Sequence, residues 1–234
     1  MEPEISGIII IVGAYGSGKT EVAVNLAVHM RRRGRAVRLA DLDLVNPYFR
    51  SREARQVMGG FGIDVVLPPS MYMQADLPIL TPEVSGMLRQ PADVTILDVG
   101  GDDVGATVLA ALADSLRGKA ATVLQVINPN RPYTDSVAGC LRMRSKIETR
   151  AKLGITGIVG NANVMEETTA DDILSGYAFS NDVAAAGKVP LAFITVPAPL
   201  LTRLAKNAIQ CPILPIRRQL VPPWKTAERF GPAS

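Results

Sequence analysis

Short apolar runs recur along the chain, with amphipathic stretches between them. The first, Ile8 to Val12, contains no polar position, as a strand covered on both faces requires. Similar runs fall near 36–40, 63–67, 94–98, 121–127, 155–160 and 191–196, with a shorter one near 212–216. Helical stretches are predicted near 18–33, 50–58, 78–90, 103–117, 133–153, 168–186 and 198–209. This alternation specifies an α/β fold with a mostly parallel β-sheet and helices on both faces. Ligands in such sheets bind beyond the carboxyl ends of the strands, so chemistry is expected in the strand–helix loops.

The first of those loops is the most informative. Residues 13–20 read Gly-Ala-Tyr-Gly-Ser-Gly-Lys-Thr, a complete G-x-x-x-x-G-K-[ST] phosphate loop between a strand and a helix. Gly13, Gly16 and Gly18 let backbone N–H groups converge on a phosphate, and the positive end of the following helix adds to that field. Lys19 is placed to reach the β- and γ-phosphates, and the Thr20 hydroxyl to ligate Mg²⁺. The whole segment, Gly13, Ala14, Tyr15, Gly16, Ser17, Gly18, Lys19 and Thr20, with Glu21 behind it, is expected to bind nucleotide. The fold class is therefore a P-loop NTPase.

Mg²⁺ and an attacking water need carboxylates near the γ-phosphate. Two strand ends supply them. Asp41 and Asp43 are two apart on an extended segment and so point the same way. Asp98 closes the apolar run Val94–Leu97 and fits a Walker B carboxylate, and Gly101 completes D-x-x-G. A glycine there can offer its N–H to the γ-phosphate and move when the phosphate leaves. The expected metal set is Thr20, Asp41 and Asp98, and the expected catalytic set Lys19, Asp43 and Asp98. Asp102 and Asp103 follow and read as helix N-caps.

Composition narrows the rest. A chain of 234 residues with 47% hydrophobic and 20% charged positions suits one sizeable domain. Residues 1–215 are read as the nucleotide-binding domain and 216–234 as a Pro-rich, basic tail that packs over the domain or onto a partner. A net charge of +3 is too small to argue for nucleic acid, and Arg31–Arg33 with Arg35 reads as a helix end closed by Gly34. Cys140, Cys211 and His29, the only cysteines and histidine, cannot assemble a zinc or iron–sulfur site in one chain. No apolar run is long enough for a membrane span, so a cytoplasmic location is expected.

A phosphate loop near the N-terminus, a strand ending Asp41-Leu-Asp43 and a strand ending Asp98-Val-Gly-Gly101 together resemble the MinD/ParA/CobQ-type ATPases. Those belong to a wider class that also holds the signal-recognition GTPases and dethiobiotin synthetase. The resemblance covers most of residues 6–200. It implies Mg–ATP binding and slow hydrolysis coupled to a conformational switch, with a protein partner or a second copy. It assigns Asp43 to the attacking water, Asp41 to the metal's water shell and Asp98 to the strand-end carboxylate. One departure is visible: the position after the first glycine, a signature lysine in MinD and ParA types, is Ala14.

The guanine-reading element of the class, Asn/Thr-Lys-x-Asp, does not occur. The strand ending at Gly160 runs into Asn161-Ala-Asn163 instead. A carboxamide both gives and accepts a hydrogen bond, which suits adenine, and the resemblance also places an asparagine here. Asn161 is the expected adenine contact, its alternative a plain turn residue, with Pro197 flanking the base. Arg131, in Asn-Pro-Asn-Arg-Pro, either faces an anion or sits in a plain loop. Residues 46–52, rich in aromatics and arginines, form an expected sensing loop for a partner or substrate, and 67–78 a proline-rich connection. Two other activities stay open. One is an ATP-dependent small-molecule kinase or ligase with an acceptor pocket lined by Arg50, Arg52 and Asp102; the other is a non-hydrolysing ATP-binding module.

Overall fold

The computed structural model of the protein describes residues 1–43, 52–67, 82–101, 103–205, 207–221 and 225–230. The sensing segment up to Ser51, Asp102, most of the proline-rich connection and Trp224 lie outside the described residues. Among these residues the chain forms β1 (Gly7–Gly13), α1 (Lys19–Arg32), β2 (Val37–Leu42), α2 (Arg52–Gly60), β3 (Asp64–Val66), α3 (Pro82–Arg89) and β4 (Val94–Val99). It continues through α4 (Asp103–Ser115), β5 (Ala121–Ile127), α5 (Val137–Ala151), β6 (Gly157–Gly160), α6 (Ala170–Gly187), β7 (Leu191–Pro197) and β8 (Ile213–Ile216). The strands make one eight-stranded sheet in the order β3-β2-β4-β1-β5-β6-β7-β8. Every pairing is parallel. The chain winds outward on one side of β1 through β2 and β3, then on the other from β5 onward. The carboxyl end of β1 is thus the switch point where a crevice opens.

Alternation along the strands divides the core into two layers. Ile8, Ile10 and Val12 of β1 pack with Leu97 and Val99 of β4 against buried residues of α3, α4, α5 and α6. Ile9 and Ile11 pack with Val94 and Ile96 against α1 and Met58 of α2. Asp98 has the parity of Val94 and Ile96, and Asp41 that of Val37 and Leu39, which join the α1 layer. Strand pleat therefore sends both carboxylates toward the face that carries the phosphate loop and α1.

Two helices differ from expectation, each for a local reason. Helix α5 starts at Val137 because the Ser136 hydroxyl caps it, accepting from the Gly139 N–H at 3.2 Å. Before it, Thr134 donates its hydroxyl to the Asn128 carbonyl at 2.9 Å and holds the loop in place. The stretch expected to be helical over 198–209 is a 3-10 turn, Ala198–Arg203, that ends when Leu204 becomes extended. Pro199, which has no N–H, fits only its first turn.

The basic end of α1 is bound to the domain. Arg31 donates to the Phe61 carbonyl at 2.9 Å, Arg33 pairs with Glu2 and Glu4, and Arg32 lies over the rings of Phe61 and Phe230. Among the described residues no helix is long and apolar enough to cross a membrane.

Candidate functional site: a phosphate loop roofed by the C-terminal tail

The loop leaves β1 at Gly13 and enters α1 at Lys19 through Gly18, which has φ 89° and ψ 24°. That left-handed backbone suits glycine, and space forbids more: a Cβ at Gly18 would collide with the Asn161 amide nitrogen. The loop closes on itself through the Ser17 N–H to the Ala14 carbonyl at 3.2 Å. The buried Lys19 ammonium donates to the same carbonyl at 3.1 Å, so its side chain folds back over the loop. Gly101 lies hard against the first half of the loop. A Cβ there would stand 2.6 Å from the Gly13 carbonyl oxygen and 2.7 Å from the Tyr15 nitrogen. The D-x-x-G segment and the phosphate loop are therefore in direct contact.

The carboxylates meet beneath the loop. Asp41 and Asp98 are register partners at the ends of β2 and β4. The Asp43 N–H donates to Asp41 Oδ1 at 3.0 Å, turning the chain so that Asp43 lines the same cavity as Lys19 and Thr20. Asp98 has no exposed surface. Burial pushes its carboxyl up to about 7, and the nearby Asp43 charge adds to the rise. The Thr20 hydroxyl and the Lys19 ammonium lie near enough to favour the charged form. Thr20 nevertheless falls short of hydrogen-bond geometry, and among the described residues neither Asp98 oxygen has a partner. A buried, unpaired carboxylate beside a hydroxyl and two further aspartates is short of a cation. The donor set, all oxygen, fits Mg²⁺ with water and phosphate completing its shell.

Asn161 sits at the end of β6, under the loop. Its amide nitrogen donates to the Ser17 carbonyl at 2.7 Å, and its carbonyl oxygen accepts from the Thr195 hydroxyl of β7. Asn161 therefore ties the phosphate loop to two strands, a task no local pattern announces. One amide hydrogen and one lone pair remain on it, and it lines the cavity together with Asn163 and Pro197. Arg131 lines the cavity too. Its Nε would lie 3.6 Å from a Cβ at Gly16 and, among the described residues, is buried without a hydrogen-bond partner. That places the guanidinium against the phosphate loop.

The cavity has a volume of about 480 Å³, within the range of small-molecule sites. Its remaining wall comes from the C-terminal tail, including Arg218, Leu220, Val221, Lys225 and Thr226. Glu21 lines the cavity and its carboxylate holds this tail: its oxygens accept the N–H groups of Gln219 at 2.8 Å and Leu220 at 3.0 Å. Burial pushes the Glu21 carboxyl above the ordinary carboxylate range, while those two N–H groups and Asn25 pull it back. Glu166, from the loop after β6, pairs with Arg218 and Lys225 and is held well below the ordinary range, chiefly by Lys225.

The structure thus gathers Lys19, Thr20, Asp41, Asp43, Asp98 and Asn161 around one crevice. Tyr15 lines both this cavity and a neighbouring cleft of about 390 Å³, which Ala14, Gly101, Arg142 and Lys146 also line. Arg50 and Asp102, and the side chain of Arg52, lie outside the described residues.

Comparison with solved structures decides the fold. The signal recognition particle 54 kDa protein from Aeropyrum pernix K1, in complex with GDP, matches with a TM-score of 0.54 at 22% identity. The match covers 83% of this chain and 42% of that one. Chloroplast FtsY from Physcomitrella patens matches with a TM-score of 0.56 at 18% identity over 83% of this chain and 60% of that one. This is a P-loop NTPase fold. A nucleotide-binding protein from Archaeoglobus fulgidus, in complex with ADP, matches with a TM-score of 0.51 at 20% identity over 84% of both chains. The chain spans about half the length of the signal-recognition structures. No family model and no curated protein matches.

These neighbours correct one expectation. The chain was expected among the MinD/ParA/CobQ-type ATPases, but its structural neighbours are signal-recognition proteins. The misplacement has a physical origin. The phosphate loop and the aspartates at strand ends answer demands that any Mg–nucleotide makes of this fold, so they report the fold and not the branch.

Proposed function

We propose that the protein binds a magnesium nucleoside triphosphate, ATP in preference to GTP, and hydrolyses it slowly as a conformational switch. The observation that carries this reading is the convergence of Lys19, Thr20 and Asp43 on one cavity over the buried, unpaired Asp98. Thr20 would hold Mg²⁺ directly, with Asp98 and Asp41 behind its waters, and the ion would neutralise charge on the phosphates. Lys19 adds a second charge to them in ground and transition states alike. Asp43, at the cavity wall, orients the attacking water toward the γ-phosphorus. Gly101 packs on the loop, so departure of the γ-phosphate is felt at once by the segment after β4. The switch acts on a protein partner or on a second copy.

Adenine preference rests on the missing guanine-reading element and on Asn161 and Asn163 in the cavity wall. Calorimetric titration with ATP and GTP in Mg²⁺ is the test. ATP is expected to bind more tightly, and equal or tighter GTP binding would overturn the base assignment.

The cleft beside Ala14, Tyr15 and Gly101 favours one further reading. With Arg142 and Lys146 on its wall it offers an acceptor site for an anionic small molecule next to the phosphate loop, as a kinase or ligase needs. Turnover stimulated by a metabolite panel would select that reading over the switch. Tight binding with no turnover at all would leave a nucleotide-binding module.

A further inference from the structure

The most elaborate construction outside the phosphate loop is the attachment of the tail. After β8 the chain lines the cavity and is fastened to α1 through its backbone, while Arg218 and Lys225 pair with Glu166 through their side chains. Glu21 accepts two successive N–H groups, those of Gln219 and Leu220. One turn further along α1, Asn25 accepts the Arg217 N–H at 2.8 Å and donates to the Arg217 carbonyl at 3.2 Å. Asn25 also donates to Glu21 at 3.0 Å, so the two residues act as one clamp. Beyond it the tail doubles back: the Glu228 N–H donates to the Arg218 carbonyl at 2.8 Å, and the Gln219 amide to the Glu228 carbonyl at 2.7 Å. Phe230 then rests edge-on against Phe61, with ring centroids 5.5 Å apart.

Burying a carboxylate to hold an extended strand is an expensive way to add stability. It is a good way to fix position. Backbone bonds consume no tail side chains, so Leu220, Val221 and Thr226 are left to line the cavity that Lys19 and Thr20 enter from the other side. Pro197 and Ile216, register partners at the ends of β7 and β8, line it as well. The polar end of the cavity is the phosphate loop. The tail's share of the wall is Leu220 and Val221, with Arg218, Lys225, Thr226 and Glu228 beside them.

We propose that tail residues 217–221 and 225–228 form the nucleoside-binding wall of this site, with Asn25 and Glu21 as the clamp that positions it. The inference rests on the reading of the cavity as a nucleotide site. It divides the ligand: phosphates belong to the loop, and base and ribose to the space that the tail shares with Asn161, Asn163 and Pro197.

The test uses the full chain and two ligands, Mg–ATP and Mg–tripolyphosphate, with Kd measured by calorimetry. Gln219→Pro removes one clamped N–H, and Asn25→Ala removes the other clamp; neither touches the phosphate loop. Loss of a preformed wall should weaken ATP by about tenfold or more in each variant, while the tripolyphosphate Kd stays within about twofold of the parent. Hydrogen exchange gives a second readout. In the parent, ATP should slow exchange at the amides of residues 217–221, and tripolyphosphate should not. Unchanged ATP affinity in both variants, or equal losses for the two ligands, would overturn the proposal. So would identical protection of the tail by both ligands. If the parent binds tripolyphosphate but ATP no better, the tail proposal fails and the phosphate-loop reading stands. If it binds neither, both fail.

Discussion

Asn161→Ala removes two buried hydrogen bonds in one step, and the structure sets the size of the loss. Asn161 is 5% exposed, and its partner residue Ser17 is fully buried. The Ser17 carbonyl loses the amide that met it at 2.7 Å. A buried acceptor stranded in this way costs about 1–3 kcal/mol. Thr195 loses its acceptor as well, but its hydroxyl already lies 3.5 Å from the Gly160 carbonyl and can turn to it. That partial rescue limits the second loss to about 1 kcal/mol. The sum is about 2–4 kcal/mol, which for a domain of this size lowers the melting temperature by about 5–15 °C. Asn161→Asp is the informative companion. It keeps the acceptor for Thr195 but sets a carboxylate oxygen against the Ser17 carbonyl, so at neutral pH it should melt at least as low as the alanine variant and recover as acid protonates it. Scanning calorimetry on ligand-free protein measures all three. If Asn161→Ala melts within about 1 °C of the parent, while its nucleotide affinity collapses, Asn161 is a ligand contact and not the anchor of the loop.

Three further outcomes follow from the same geometry. Asp98 titrates near 7 in the ligand-free fold, so below that pH a proton must leave before the carboxylate can serve a cation. Mg-dependent nucleotide affinity should rise with pH up to about 7, by at most tenfold per unit, and level off above it; Asp98→Asn should flatten the profile. The same raised pKa means that Asp98 adds folding stability as pH falls from about 7 toward 3.8 and costs stability above that window, which acid and neutral melts of parent and Asp98→Asn would compare. Arg131→Ala should weaken triphosphate binding by about 10- to 100-fold, the loss of one charge-assisted bond, and leave the adenosine affinity alone; equal loss for adenosine would place Arg131 at the nucleoside.

The sheet was legible because it is covered on both faces. Ile8–Val12 is an uninterrupted apolar run, and Val94–Leu97 is broken only by Thr95. Pleat parity sent Asp41 and Asp98 to one face and register set them side by side, while a turn past the end of β2 brings Asp43 to the cavity. The start of α5 was not legible, since Thr134 and Ser136 bond to backbone and so compete with helix. Nor was the anchoring role of Asn161, whose partner Ser17 is 144 positions away. Glu21 follows Thr20 and lines the cavity, but nothing local signals that its carboxylate also holds the tail. Backbone acceptance of that kind leaves no trace in the tail's own sequence. The branch of the fold was misread because its motifs encode the nucleotide's needs.

The most direct test of the central claim is single-turnover hydrolysis on protein saturated with Mg–ATP. The parent should turn ATP over slowly. Lys19→Ala should lose binding outright. Asp43→Ala should bind ATP about as well as the parent but hydrolyse it on the order of 10²-fold more slowly, because water positioning is a transition-state role. Asp41→Ala, the control, should do less. Hydrolysis by Asp43→Ala at the parental rate, with Asp41→Ala slowed instead, would show that the wrong aspartate has been given the water. A saturated parent that never turns over would contradict the switch itself.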